Sequence, residues 1–210
     1  MITLALDAST YEGSVALLDD ARVVAEGVAA MRGRDAERLM PAVESTLKSG
    51  GIALSRVERI VCGAGPGSFT SLRIAGSLAK GMAAGRGLPL FAVSSLALIV
   101  AGNAREPGRY LALLDAIRGE YFAGVFEFDG RSVEAEGEAT LVAKADVDAL
   151  ASCSKAQAVG PDFGDRWSPH ARGVARLQSV LASGPVNLSA WEPTYGRLAE
   201  AQVKLEAASK

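Results

Sequence analysis

The chain has 210 residues, 49% of them apolar and 22% charged, a balance that belongs to a folded globular protein and excludes a disordered one. Lys plus Arg number 22 against 24 for Asp plus Glu, a formal net charge of -2 with no basic run, which argues against a protein that holds nucleic acid by itself, since phosphate neutralisation supplies much of that affinity. The longest apolar stretch, residues 94–102, is about half of what a membrane span requires.

Residues 1–7 have no basic region and meet Asp7 early, so they do not read as a signal peptide and the chain is expected in the cytoplasm. Residues 2–6 read as a buried strand, and residues 14–18 and 22–28 as two more, joined by short turns into an antiparallel meander. Asp35 is an expected helix N-cap, with Leu39, Val43 and Leu47 one apolar stripe and Gly50-Gly51 the stop. A strand over 58–62 runs into the glycine-rich loop Gly63-Ala64-Gly65-Pro66-Gly67-Ser68, where Ser68 is placed to cap a helix beginning at Phe69. That helix carries Leu72, Ala75, Gly76, Ala79 and Ala83, small enough to let another backbone come close, and ends at Gly85 and Gly87. A strand over 89–93 and a helix over 96–102 capped by Ser94-Ser95 complete a βββαβαβα order, an α/β unit with a mixed sheet and helices on its faces.

The break at Arg105-Glu106-Pro107-Gly108 divides the chain into a lobe of residues 1–104 and a smaller, shortened lobe of residues 105–210. Strands are predicted over 110–115, 121–128 with a turn at Asp129-Gly130, 131–142 and 157–160, and helices over 146–151 and 198–208. Periodicity weakens after Pro161. Cys62 and Cys153 are far apart and belong to no C-x-x-C pair, so they read as two buried thiols.

Two segments have the form of phosphate loops. Asp7-Ala8-Ser9-Thr10 puts an acid and hydroxyls at a strand end, as the actin and sugar-kinase superfamily does, though an ordinary turn has the same composition. In the second segment, Gly65, Gly67 and Ser68 sit before a helix N-terminus, which suits an anion, without a Walker lysine or dinucleotide spacing. Asp7, Ser9, Thr10, Gly65, Gly67 and Ser68 are therefore the candidate ligand-binding residues, a tight strand-to-helix turn being the alternative.

The run Gly65-Pro66-Gly67-Ser68-Phe69-Thr70-Ser71-Leu72-Arg73-Ile74, then Ala79-Lys80-Gly81 and Val93-Ser94-Ser95-Leu96, resembles the TsaB (YeaZ) family of bacterial tRNA threonylcarbamoyladenosine synthesis. Leu6-Asp7-Ala8-Ser9-Thr10, Leu114-Asp115-Ala116-Ile117-Arg118-Gly119-Glu120-Tyr121 and Glu192-Pro193-Thr194-Tyr195-Gly196-Arg197 resemble further segments of that family in order. Ser71 stands where the family usually has Gly, and Ile117 where Arg is common. The resemblance implies an actin-like, RNase H-like fold of two lobes. It implies a non-catalytic activator or scaffold for modification of the adenosine beside the anticodon. Such a subunit pairs with a TsaD-type transferase, the pair is joined by a TsaE-type ATPase, and tRNA is met indirectly through the complex. Pairing through the first two helices would involve Leu39, Val43, Leu47, Leu72, Arg73, Ala75, Gly76, Ala79 and Ala83. No cofactor on this subunit is implied, a nucleotide at the complex interface being left open, and a homodimer is expected when the partner is absent.

Catalytic alternatives fare less well. One histidine, His170, lies in an expected loop and reads as solvated, and neither H-E-x-x-H nor G-x-S-x-G accompanies it. A stand-alone actin-like kinase or ATPase would use Asp7 and Asp115. Arg73, Tyr195 and Arg197 divide evenly between structural and partner-facing roles.

Overall fold

The computed structural model describes residues 1–31 and 38–195, so Asp35, Arg197 and the helix expected over 198–208 lie outside the described residues. The apolar run at the start forms β1 (Ile2–Asp7), followed by β2 (Glu12–Asp19) and β3 (Arg22–Ala30), each antiparallel to its predecessor. Helix α1 (Leu39–Ser49), β4 (Arg59–Gly63), α2 (Phe69–Arg86) and β5 (Leu90–Val93) follow. β4 lies parallel to β1 and β5 parallel to β4, so the strand order is β3-β2-β1-β4-β5. Alternation along the central strands divides the packing. Leu4, Leu6, Val15 and Leu17 join α1 and α2 in one core, while Ala5, Ala16 and Leu18 point into another.

Helix α3 (Ser95–Asn103) is apolar all round and buried from Ser95 through Ala101, as a helix enclosed on every side must be. Beyond it come β6 (Gly108–Asp115), β7 (Glu120–Phe128), β8 (Val133–Ala135), β9 (Thr140–Ala143), α4 (Val147–Ser154) and β10 (Gln157–Val159). Their sheet runs β10-β6-β7-β8, with β9 also on β7 and β10 parallel to β6. It repeats the path of the first sheet through its fourth strand. Leu96, Ile99 and Val100 share one core with Ala5 and Leu18 of the first sheet and Ala112, Leu114 and Phe126 of the second. The architecture is thus two mixed sheets on either side of one helix, with α1 and α2 on one outer face. Val147 of α4 packs with Leu111 and Leu113 on the other.

The strand expected over 131–142 is two short strands on opposite ends of β7, separated at Gly137, whose φ of 84° breaks the extended run. After β10 the chain turns back. A 3-10 turn at Ala171–Arg176 and helix α5 (Gln178–Ala182) insert Ala171, Val174, Leu177 and Leu181 into the core around α3. The Val186 amide then donates to the Leu90 carbonyl at 2.8 Å, and Trp191 packs on the α1/α2 core. Residues 178–195, assigned by sequence to the second lobe, therefore rest on the first. Cys62 is buried, and burial pushes its thiol pKa up. Cys153 is exposed, against expectation, because Val147 is the one residue of the short α4 that is fully buried.

The 3-10 turn approaches α3 backbone to backbone. A Cβ on Gly173 would stand 2.8 Å from the Gly102 amide nitrogen and 3.0 Å from the Ala101 carbonyl carbon. Neither neighbour is a side chain that can swing aside. Gly173→Ala is therefore expected to lower the urea midpoint at unchanged slope, by about 1–3 kcal/mol of stability.

Candidate functional site

β1 and β4 end side by side, Leu6 opposite Cys62, so Asp7 and Gly63 close one edge of the first sheet together. Asp7 is fully buried. Its Oδ1 accepts from the Ser9 amide at 2.9 Å and the Ser9 hydroxyl at 2.8 Å, and its Oδ2 accepts from the Ser95 hydroxyl at 2.5 Å. Gly63 makes room for this carboxyl, since a Cβ there would fall 1.9 Å from Asp7 Oδ2. Burial raises the Asp7 pKa, and the Ser95 and Ser9 hydrogen bonds pull it part of the way back.

The glycine-rich loop is tied into the same knot. The Gly65 amide donates to Ser95 Oγ at 3.1 Å, the Ser95 amide to the Gly65 carbonyl at 2.9 Å, and the Ala64 amide to the Val93 carbonyl at 2.7 Å. The Ser68 amide donates to the Ser9 carbonyl at 2.7 Å, and a Cβ on Gly67 would meet that same carbonyl oxygen at 2.2 Å. From the far end of the chain, the Thr194 amide donates to the Ala64 carbonyl at 2.7 Å. The Thr194 carbonyl lies 2.3 Å from where a Gly65 Cβ would be. Five of the six candidate ligand residues, Asp7, Ser9, Gly65, Gly67 and Ser68, do come together, but their polar groups are engaged within the chain. Thr10 stands apart, its hydroxyl turned onto Glu12. Ser68 does not cap α2 with its side chain; its hydroxyl pairs with that of Ser71 at 3.1 Å, which gives Ser71 a partner inside the fold. Ser94 does cap α3, accepting from the Ala97 amide at 3.4 Å.

Asp115 ends β6 as Asp7 ends β1, yet it is exposed and pairs with Lys144 at 3.0 Å, a surface contact of small worth. In the turn after it, Ile117 is 68% exposed at a φ of 62°, a left-handed conformation that costs a β-branched residue free energy. His170 is not solvated as expected. It is half-buried, its Nδ1 accepts from the Arg172 amide at 3.2 Å, and burial followed by the Arg172 charge lowers its pKa. Among the described residues no three His, Cys, Asp or Glu side chains gather to hold a metal ion, and no helix is long and apolar enough to cross a membrane.

The helix residues expected to face a partner are distributed unequally. Leu39, Val43, Leu47, Ala75, Ala79 and Ala83 lie in the chain's own core, and Leu72 is fully buried. Gly76 lies under Pro193, whose Cγ would be 2.9 Å from a Cβ there. Arg73 is exposed, its guanidinium 4.3 Å from the Phe69 ring centre and its Nε 3.4 Å from the Tyr195 hydroxyl. Sequence reading missed Ser77, Gly81 and Gly85, which are exposed on the outer side of α2. A Cβ on either glycine would meet nothing within 4 Å among the described residues. Their spacing of four was the available signal.

Removing the Asp7 carboxyl would strand the Ser9 amide, so Asp7→Ala is expected to destabilise by about 1–3 kcal/mol. Asp7→Asn keeps an acceptor for Ser9 and costs less. Because the folded pKa is raised, Asp7 makes the native state bind more protons than the unfolded one. Its contribution to stability must then fall as pH rises from the ordinary carboxyl range through the raised value, and level off above it. Urea titrations across that window should show the fall in the parent and its absence in Asp7→Asn.

A family model described as "TsaD: tRNA N6-adenosine threonylcarbamoyltransferase" matches residues 31–159. Two curated relatives, each named tRNA threonylcarbamoyladenosine biosynthesis protein TsaB, are similar. That of Bacillus subtilis is 35% identical over 134 residues, covering 64% of this chain and 58% of the relative. That of Escherichia coli is 34% identical over 149 residues, covering 70% and 64%. This chain thus spans less than two thirds of the length of either relative. Among solved structures, YeaZ from Pseudomonas aeruginosa superposes with a TM-score of 0.74 at 27% identity, over 92% of this chain and 99% of that one. The fold is accordingly the actin-like one of that structure, and the chain belongs to the family of the matching model, within its TsaB (YeaZ) group.

Proposed function

We propose that this chain is a non-catalytic activator or scaffold in tRNA threonylcarbamoyladenosine formation, working in the cytoplasm. In this reading it pairs with a TsaD-type transferase, which carries the metal, the chemistry and most of the tRNA contact, and the pair is joined by a TsaE-type ATPase. The names of its TsaB relatives support the pathway. A stand-alone kinase or ATPase would need Asp7 to reach a metal or water, and Asp7 is enclosed by Ser9, Ser95 and Gly63.

The observation that carries the pairing is the bare outer face of α2. Gly81 and Gly85 stand inside a helix of 18 residues, where each costs about 1 kcal/mol relative to alanine. No atom of the described residues requires the missing Cβ. With Ser77 they make one stripe of small residues on which a partner helix can lie close. Arg73 heads that stripe and is held by Phe69 and Tyr195, ready to meet a partner acid. Without the partner, the same face pairs with a second copy of this chain, which light scattering at high concentration would detect.

The test is threonylcarbamoylation of tRNA by the transferase and ATPase from the same source, with this chain added, omitted or substituted. Product should require this chain, and this chain alone should make none. Gly81→Arg should keep or raise thermal stability, because its side chain enters open space and helix propensity improves by up to about 1 kcal/mol. Its affinity for the transferase should fall at least about tenfold, and product with it. A substituted chain that is stable, binds normally and supports full modification would remove α2 from the interface.

A further inference from the structure

A cavity of about 890 Å³ opens where α3 ends, walled by Asn103, Arg105, Tyr110, Trp167, Arg172 and Arg176 together with neighbouring residues. It takes in Val23 near the start of β3 and Gln157 at the start of β10. It therefore lies at the opposite end of the sheets from Asp7 and Asp115, which end β1 and β6. Its volume is that of a small-molecule site.

Part of this wall has a structural duty. The last carbonyls of a helix need donors, and Arg172 Nε donates to the Gly102 carbonyl at 2.7 Å. One terminal nitrogen of Arg176 donates to the carbonyls of Ala101 at 3.1 Å and Ala104 at 2.7 Å. The Arg172 charge is met by Glu26 at 3.3 Å. Helix capping does not account for the rest. Arg105 is exposed, and neither it nor Arg176 pairs with a carboxylate among the described residues. The other nitrogens of Arg176 make no hydrogen bond among those residues, its guanidinium lying 4.7 Å from the Phe128 ring centre. Half-buried Trp167 leaves part of its indole on the cavity wall, tilted against Tyr110 with ring centres 5.5 Å apart. Glu106 and Asp165 add acceptors on the rim.

We propose that this cavity binds a nucleotide, its base on Trp167 and its phosphate between Arg105 and Arg176. An aromatic face is a sequence-tolerant platform for a base. Unpaired guanidinium groups suit phosphate oxygens in bidentate geometry. The carboxylates of Glu106 and Asp165 would accept from ribose hydroxyls or an exocyclic amine, and would disfavour a ligand with several phosphates. The source is either a free mononucleotide or an unpaired residue of an RNA chain. The inference is independent of the α2 surface.

The chain has two tryptophans, so Trp191→Phe leaves Trp167 as the single reporter. The probes are 5′-AMP, adenosine and a five-nucleotide single-stranded RNA, followed by Trp167 emission and by calorimetry. 5′-AMP should quench saturably and bind about tenfold tighter than adenosine. Arg105→Glu, at an exposed position, should weaken 5′-AMP about tenfold without moving the urea midpoint. RNA binding tighter than 5′-AMP identifies the RNA source, and weaker binding the free nucleotide. The proposal is overturned if neither 5′-AMP nor the RNA saturates by about 1 mM. It is equally overturned if adenosine binds as well as 5′-AMP, or if Arg105→Glu leaves the affinity unchanged.

Discussion

The hydrogen bond from Ser95 to the buried carboxyl of Asp7 fixes where the shared helix begins. Asp7 ends the central strand of the first sheet, and Ser95 is the first residue of α3. Every core residue that α3 contributes to either sheet is counted from that point. A carboxyl with no access to water must have its acceptors engaged, and here Ser9 and Ser95 engage them. Ser95 also accepts from Gly65, so one small network joins the first strand, the glycine-rich loop and the helix between the sheets.

The same network explains why motifs far apart in sequence belong together. Asp7-Ala8-Ser9-Thr10, the loop through Ser68, Val93-Ser94-Ser95-Leu96 and Glu192-Pro193-Thr194-Tyr195 meet at one place, with the Thr194 peptide seated on Ala64 and Gly65. Most of these residues answer to each other's geometry. A loop that could cradle an anion is filled by the Ser9 and Thr194 backbones instead. Among the described residues the Asp7 carboxyl is thereby enclosed, while the outer face of α2 and the crevice at the far end of α3 stay open.

Much of the fold was legible because its elements follow simple periods. β1, β2 and β4 are short apolar runs between turns, and α2 lies between a glycine loop and a left-handed Gly87. Residues 161–195 were illegible because tertiary contact organises them. Val174, Leu177 and Leu181 enter the α3 core from a 3-10 turn and a five-residue helix, too short to display a period. His170 looked like a loop residue because its cover comes from α3, at Gly102. The Leu39, Val43, Leu47 stripe was correctly read as one face. Periodicity, however, says only that a face is covered, and the cover here is the chain's own sheet.

The glycines of α2 separate the two questions that periodicity cannot. At Gly76 the missing side chain is explained inside the chain, because Pro193 and Trp191 occupy its place. At Gly81 and Gly85 nothing among the described residues occupies it. A helix interior disfavours glycine unless something comes near. For the two outer glycines, no described residue comes near. The buried face of α2 belongs to the architecture of the lobe, and the exposed face is the one on which we propose that a partner lies.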